Sequence, residues 1–136
     1  MKSPKVYVRD SGLLHQLLGI PNLKALLTHP KIGASWEGFV IEQVLRTEPW
    51  DEAFFWATHQ GAEIDLVIRR GEDLVGVECK RADAPRLTRS IGTALEDLGL
   101  SRVAVIHPGT KRFPLSDAVE AVPLSSVAAG ESILPP

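Results

Sequence analysis

Three β-prone runs follow one another so closely between residues 53 and 80 that only tight turns can join them. They are Ala53-Phe54-Phe55-Trp56, Glu63 to Arg69 and Leu74 to Lys80, separated by His59-Gln60-Gly61 and by Arg70-Gly71-Glu72-Asp73. Runs this near to each other form an antiparallel meander, because a parallel return needs a crossover of a dozen or more residues. A helix follows, with Pro85 near its start. Its apolar positions are Leu87, Ile91, Ala94, Leu95 and Leu98, spaced i, i+4, i+7, i+8 and i+11, and Gly99 ends it. Arg102 to Ile106 is then an apolar strand reached through that helix, so it is expected parallel to the strand before it, by a right-handed connection. Ala118 to Val122 reads as a last, edge-like strand.

Ahead of the meander, Ser35 is placed to cap a helix over about Trp36 to Arg46, and Pro49 stops it. Residues 1–30 read as an N-terminal strand, Lys5 to Val8, and a leucine-rich helical segment. Asp10 caps its first helix, which Gly19 closes; Asn22 caps the second, which stops before Pro30. The order α-β-β-β-α-β is that of an α/β sandwich with a mixed central sheet flanked by helices. Residues 1–30 and the 31–125 core make one domain, and 126–136 is expected as a loose tail.

Composition narrows the function. With 136 residues, 44% of them hydrophobic, the chain can bury roughly two-thirds of its unfolded surface without a disulfide or structural zinc. Its single cysteine, Cys79, excludes a disulfide framework and fits a reducing, cytoplasmic setting. No stretch approaches the ~20 apolar residues of a membrane span, and the N-terminus lacks an apolar signal core. Fifteen basic residues against 17 acidic ones leave no global basic footprint, so nucleic acid would have to be held by a local patch. There is no phosphate loop or dinucleotide motif, hence no expected ATP site. His15, His29, His59 and His107 show no ligand spacing.

The chemistry concentrates in the meander. Residues on a strand alternate faces, so Glu63 and Asp65 share one face and Glu78 and Lys80 share one face of the next strand. With an even-length turn at residues 70–73, opposed residues have numbers summing to 143: Asp65 meets Glu78, and Glu63 meets Lys80. Opposed carboxylates repel unless a positive charge lies between them. A divalent cation resolves this, and two carboxylates with waters and a phosphate suit Mg²⁺ or Mn²⁺. Lys80 is then placed to steady or deprotonate an attacking water. The plainer alternative is a solvated face with a Glu63–Lys80 ion pair, worth a few tenths of a kcal/mol. Glu37, at i−3, i−4 and i−7 to Val40, Ile41 and Val44, is expected as a third converging acid, or else as a first-turn acid on the helix dipole. Arg81, Arg86 and Arg89 follow the motif, with Arg70 on the preceding turn, and are candidates to grip a phosphate backbone. Trp36, Trp50 and Trp56 suit base stacking or, for Trp36 and Trp56, the core.

The set Glu37, Glu63-Ile64-Asp65 and Glu78-Cys79-Lys80, on a helix followed by a meander and an α-β crossover, resembles the PD-(D/E)xK superfamily and its restriction-endonuclease-like sandwich. With the opening Lys5 to Leu14 and the Trp36-Glu37-Gly38-Phe39-Val40 helix start, the chain is similar to the domain of unknown function found C-terminal to AAA-type ATPase modules in bacteria and archaea. The resemblance covers about residues 4 to 125. It implies Asp65 and Glu78 as metal ligands, Lys80 as the catalytic lysine, Glu37 as a helix acid supporting the metal or its waters, and Glu63 as an accessory group. Ile64 stands where nucleases of the superfamily often carry proline. The implied activity is Mg²⁺-dependent hydrolysis of DNA or RNA. The alternative is a non-catalytic regulatory domain working with an ATPase in cis or trans. The leucine-rich segment offers a docking face, or a patch that would favour a homodimer.

Overall fold

The computed structural model of the protein describes residues 32–82 and 84–133. The strand and leucine-rich helices expected over residues 1–30 lie outside the described residues.

The meander is present as expected. Strands β1 (Glu52–Ala57), β2 (Glu63–Arg70) and β3 (Asp73–Cys79) pair antiparallel in succession. The β2–β3 register is the one the turn length requires, from Leu66 opposite Val77 to Arg70 opposite Asp73. Helix α2 (Arg89–Leu98) then carries the chain to β4 (Arg102–His107), parallel to β3. Thr88 caps α2 by accepting from the Ile91 N–H, and Gly99 closes it at φ 64°, a left-handed conformation that suits a residue without a Cβ. The capping places the helix start four residues beyond Pro85, so Leu87 lies ahead of it and is exposed rather than on its apolar face.

Two elements depart from expectation. The last long strand, β6 (Val119–Pro123), is not an edge: it lies parallel to β4 on one side and antiparallel to the short β5 (Phe113–Pro114) on the other. The six-stranded order is β1-β2-β3-β4-β6-β5. Helix α1 (Ile32–Thr47) starts three residues before Ser35, which is buried within the helix and does not cap it.

Helices cover both faces. Val40, Ile41 and Val44 of α1 pack with Leu66, Ile68, Val75, Val77, Ala104 and Ile106, and Ile91 and Ala94 of α2 pack with Ile64, Val67, Val103 and Val105. Ile64 and Val67 sharing a face breaks the period of two. The cause is a bulge: Trp56 opposes Ile64 and Phe54 opposes Val67, so Phe55 alone spans Asp65 and Leu66. Gly76 lets the α2 side close on β3, since a Cβ there would stand 3.0 Å from Leu100 Cδ1 and 3.2 Å from Val103 Cγ2. No helix among the described residues is long and apolar enough to cross a membrane.

The expected loose tail is docked as far as residue 133. Helix α3 (Leu124–Ala128) packs Val127 on the α1 face, and Ile133 is fully buried. The buried Glu48, just past α1, holds this segment: Oε1 accepts from the Ile133 N–H at 2.6 Å and Oε2 from Ser132 Oγ at 3.2 Å. Glu48→Ala strands a buried donor. It should lower unfolding free energy by about 1–3 kcal/mol in urea denaturation and open the chain after α3 to limited proteolysis.

Candidate functional site

The β2–β3 ladder and the β3–β4 ladder have different lengths. The first stops at Leu66–Val77, whereas β4 continues beside β3 to Cys79–Ile106, and the Lys80 N–H still reaches the Ile106 carbonyl. On its β2 side, therefore, the end of β3 lacks a backbone acceptor. Asp65 supplies it from its side chain, with Oδ2 accepting from the Cys79 N–H at 2.9 Å. The bulge at Asp65–Leu66 is what takes Asp65 out of regular pairing and frees its carboxylate for this seam.

Glu78 completes the pair. It and Asp65 are buried, at 7% and 6% exposure, and their carboxyl groups hydrogen-bond to each other. Burial, then the hydrogen bond and charge of Asp65, push the Glu78 carboxyl up to about 9, only partly offset by Lys80; Glu63 pushes the same way. Asp65, Glu78, Lys80 and Glu63 thus form one electrostatic cluster, as expected. The β2–β3 ladder ends one step short of the expected 65–78 opposition.

Glu37 does not join them. Along β3, Val77 and Cys79 pack on the α1 side and Gly76 on the α2 side, so alternation puts Glu78 on the α2 face. Glu37 is half-buried on α1, which starts at this same end of the sheet but covers the opposite face. Among the described residues no group of three or more His, Cys, Asp or Glu side chains is arranged to hold a metal. The site offers two carboxylates and a lysine. That donor set fits Mg²⁺ or Mn²⁺, which bind through one or two carboxylates and complete their shell with waters and a substrate phosphate. A cation bound there would take the place of the proton that Glu78 otherwise holds.

The arginines divide. Arg70 lies at the β2–β3 turn, about 17 Å along the strand from Asp65, and is not part of the site. Arg81 directly follows Lys80; Arg86 precedes α2 and Arg89 begins it, all exposed at the site end. Of the tryptophans, Trp36 packs on the α1 side and Trp56 on the α2 side, while Trp50 is exposed and donates from Nε1 to the Leu45 carbonyl. Glu48 and the bulge escaped the sequence pattern, because neither a tertiary partner nor a doubled residue leaves a local signature.

The Glu78 carboxyl sets a pH dependence. Its folded-state value lies above the ordinary 4.5, so the folded chain keeps a proton that the unfolded chain gives up. Metal-free stability should fall as pH rises from about 4.5 towards 9. Glu78→Gln should flatten that slope and raise stability at neutral pH, read from denaturation midpoints across the pH range.

The chain is 47% identical over 132 residues to an uncharacterized protein of Mycobacterium bovis and, to the same degree, to one of Mycobacterium tuberculosis. The match takes in 97% of this chain but only 30% of the length of each of these curated relatives. No solved structure matches it. The model of a domain of unknown function, DUF4143, matches residues 32–127, from the start of α1 into α3. The chain belongs to the DUF4143 family.

Proposed function

We propose that this domain is a PD-(D/E)xK, restriction-endonuclease-like phosphodiesterase that hydrolyses nucleic acid with Mg²⁺ or Mn²⁺. The observation that carries the reading is the placement of two buried, mutually hydrogen-bonded acids at the open end of the β2–β3 ladder, with Lys80 two residues after Glu78. Buried acids facing each other cost stability unless something binds them. Such a cost, met at a strand end that opens to solvent, is characteristic of a working site.

In this reading Asp65 and Glu78 hold the ion, which supplies Lewis acidity and charge neutralisation at the phosphate. Lys80 orients the attacking water and offsets the charge that develops on the phosphoryl oxygens. Asp65 is kept in place by the Cys79 N–H, and Cys79 itself packs into the α1 side. Glu63 tunes the acidity of Glu78. Arg81, Arg86 and Arg89 meet the backbone of the substrate.

A second reading has its own support: two carboxylates are fewer than a complete protein-made metal cage. A domain that keeps this scaffold without catalysis would serve as a regulatory or binding partner of an AAA-type ATPase module, in cis or in trans.

Paramagnetic broadening separates the two. Titrating Mn²⁺ into the full chain should broaden the amide resonances of Asp65, Glu78, Cys79 and Lys80 first, and Glu78→Gln should remove the effect. Lys80→Ala should keep the broadening while lowering cleavage of an oligonucleotide by on the order of 10²-fold. Uniform broadening in wild type and variant alike would sink the metal-dependent reading and favour the non-catalytic one.

A further inference from the structure

Two hollows lie on either side of the acid pair, at the same end of the sheet. The first, of about 600 Å³, is lined by Thr58, Gln60, Arg89, Ser90, Thr93 and Asp97, between the β1–β2 turn and the first half of α2. That turn leads directly into Glu63, and α2 covers the face on which Glu78 and Lys80 sit. The second, of about 480 Å³, is lined by Ala84, Gly109, Thr110, Lys111 and Phe113, beyond the end of β4. β4 ends beside Lys80, whose N–H it accepts.

We infer that a single strand of nucleic acid crosses this end of the sheet, with one nucleotide in each hollow and the scissile phosphate between them at Asp65, Glu78 and Lys80. The inference rests on the phosphodiesterase reading and adds the substrate class and its path. Each hollow has the volume of a small-ligand site. β1 and β4 are three strand spacings apart, about 14 Å, which suits a chain molecule better than one compact ligand.

Hydrogen bonds brace the lining of both hollows. The first is braced by Thr58, whose N–H donates to the Ala62 carbonyl at 2.8 Å and whose Oγ1 accepts from the Ala62 N–H at 3.1 Å. The second is braced by the fully buried His107. Its Nδ1 accepts from the Gly109 N–H at 3.1 Å, which leaves Nε2 to donate to the Lys111 carbonyl at 2.9 Å. The His107 and Phe113 rings are 5.8 Å apart and tilted by 53°.

A single strand fits this surface better than a duplex. Each hollow presents one cation, Arg89 or Lys111, in a chain of net charge −2, whereas duplex affinity draws on many phosphate contacts. Unstacked bases can enter concave hollows and stack on a ring such as Phe113; paired bases cannot. Gln60 and Asp97 can read a base edge while Arg89 meets phosphate.

The test is fluorescence anisotropy with the full chain and labelled oligonucleotides of about 12 nucleotides, with Ca²⁺ replacing Mg²⁺ to prevent cleavage. Single-stranded DNA, single-stranded RNA and the matching duplex are compared, and the tighter single strand identifies the sugar. The single strand should bind more tightly than the duplex. Arg89→Ala and Lys111→Ala, both at exposed positions, should each weaken it by about fivefold and lower the salt slope by about 0.7. Arg46→Ala, at the far end of α1, should leave it unchanged. Preference for the duplex, or wild-type binding by both variants, overturns the path across the hollows. If Mn²⁺ still broadens the Asp65–Glu78 region, the phosphodiesterase reading survives that result. Absence of both Mn²⁺ broadening and oligonucleotide binding overturns the two together.

Discussion

Strand β3 has to satisfy two hydrogen-bond geometries at once, antiparallel towards β2 and parallel towards β4. It can do so because it is buried on both faces and because Gly76 admits the α2 side at close range. The two ladders need not end together, and here they do not. Where β2 stops pairing and β4 continues, β3 exposes a backbone donor that needs an acceptor. Asp65 meets that need, and in doing so brings its charge against Glu78. The acid pair is thus a consequence of unequal ladder lengths.

Much of this was legible from local pattern. Closely spaced β-prone runs dictated a meander, the turn of residues 70–73 dictated its register, and the apolar run after α2 dictated a parallel strand. What escaped depends on contacts distant in sequence. The bulge at Asp65–Leu66 appears only when β1 is laid against β2. β6 looked like an edge because the two-residue β5 that covers it is too short to signal itself. Ser35 has the residue type of a cap, yet α1 begins earlier and buries it. The tail looked loose because its composition is small and polar, while its anchor, Glu48, is far away in sequence.

The candidate site divides along the same line. Asp65, Glu78 and Lys80 were accessible to strand arithmetic, since alternation and register are local rules. Glu37 carries the pattern of a helical face turned to the sheet, but α1 covers the side opposite Glu78. Arg70 is near the motif in sequence, but a strand separates successive residues by over 3 Å each, which carries it to the far end of β2. The result is a leaner site than three converging acids.

The tie between Glu48 and Ile133 joins positions 85 residues apart. A contact of that span closes one of the longest loops available to the domain, and long loops close late. During synthesis, α1 and the meander emerge well before residue 133, so the buried carboxylate of Glu48 waits for its donors until Ser132 and Ile133 have followed. The family match ends at residue 127, within α3 and ahead of Ser132 and Ile133. The folding unit is therefore longer than the matched segment, and a fragment trimmed to residue 127 would carry a buried acid with neither of its partners.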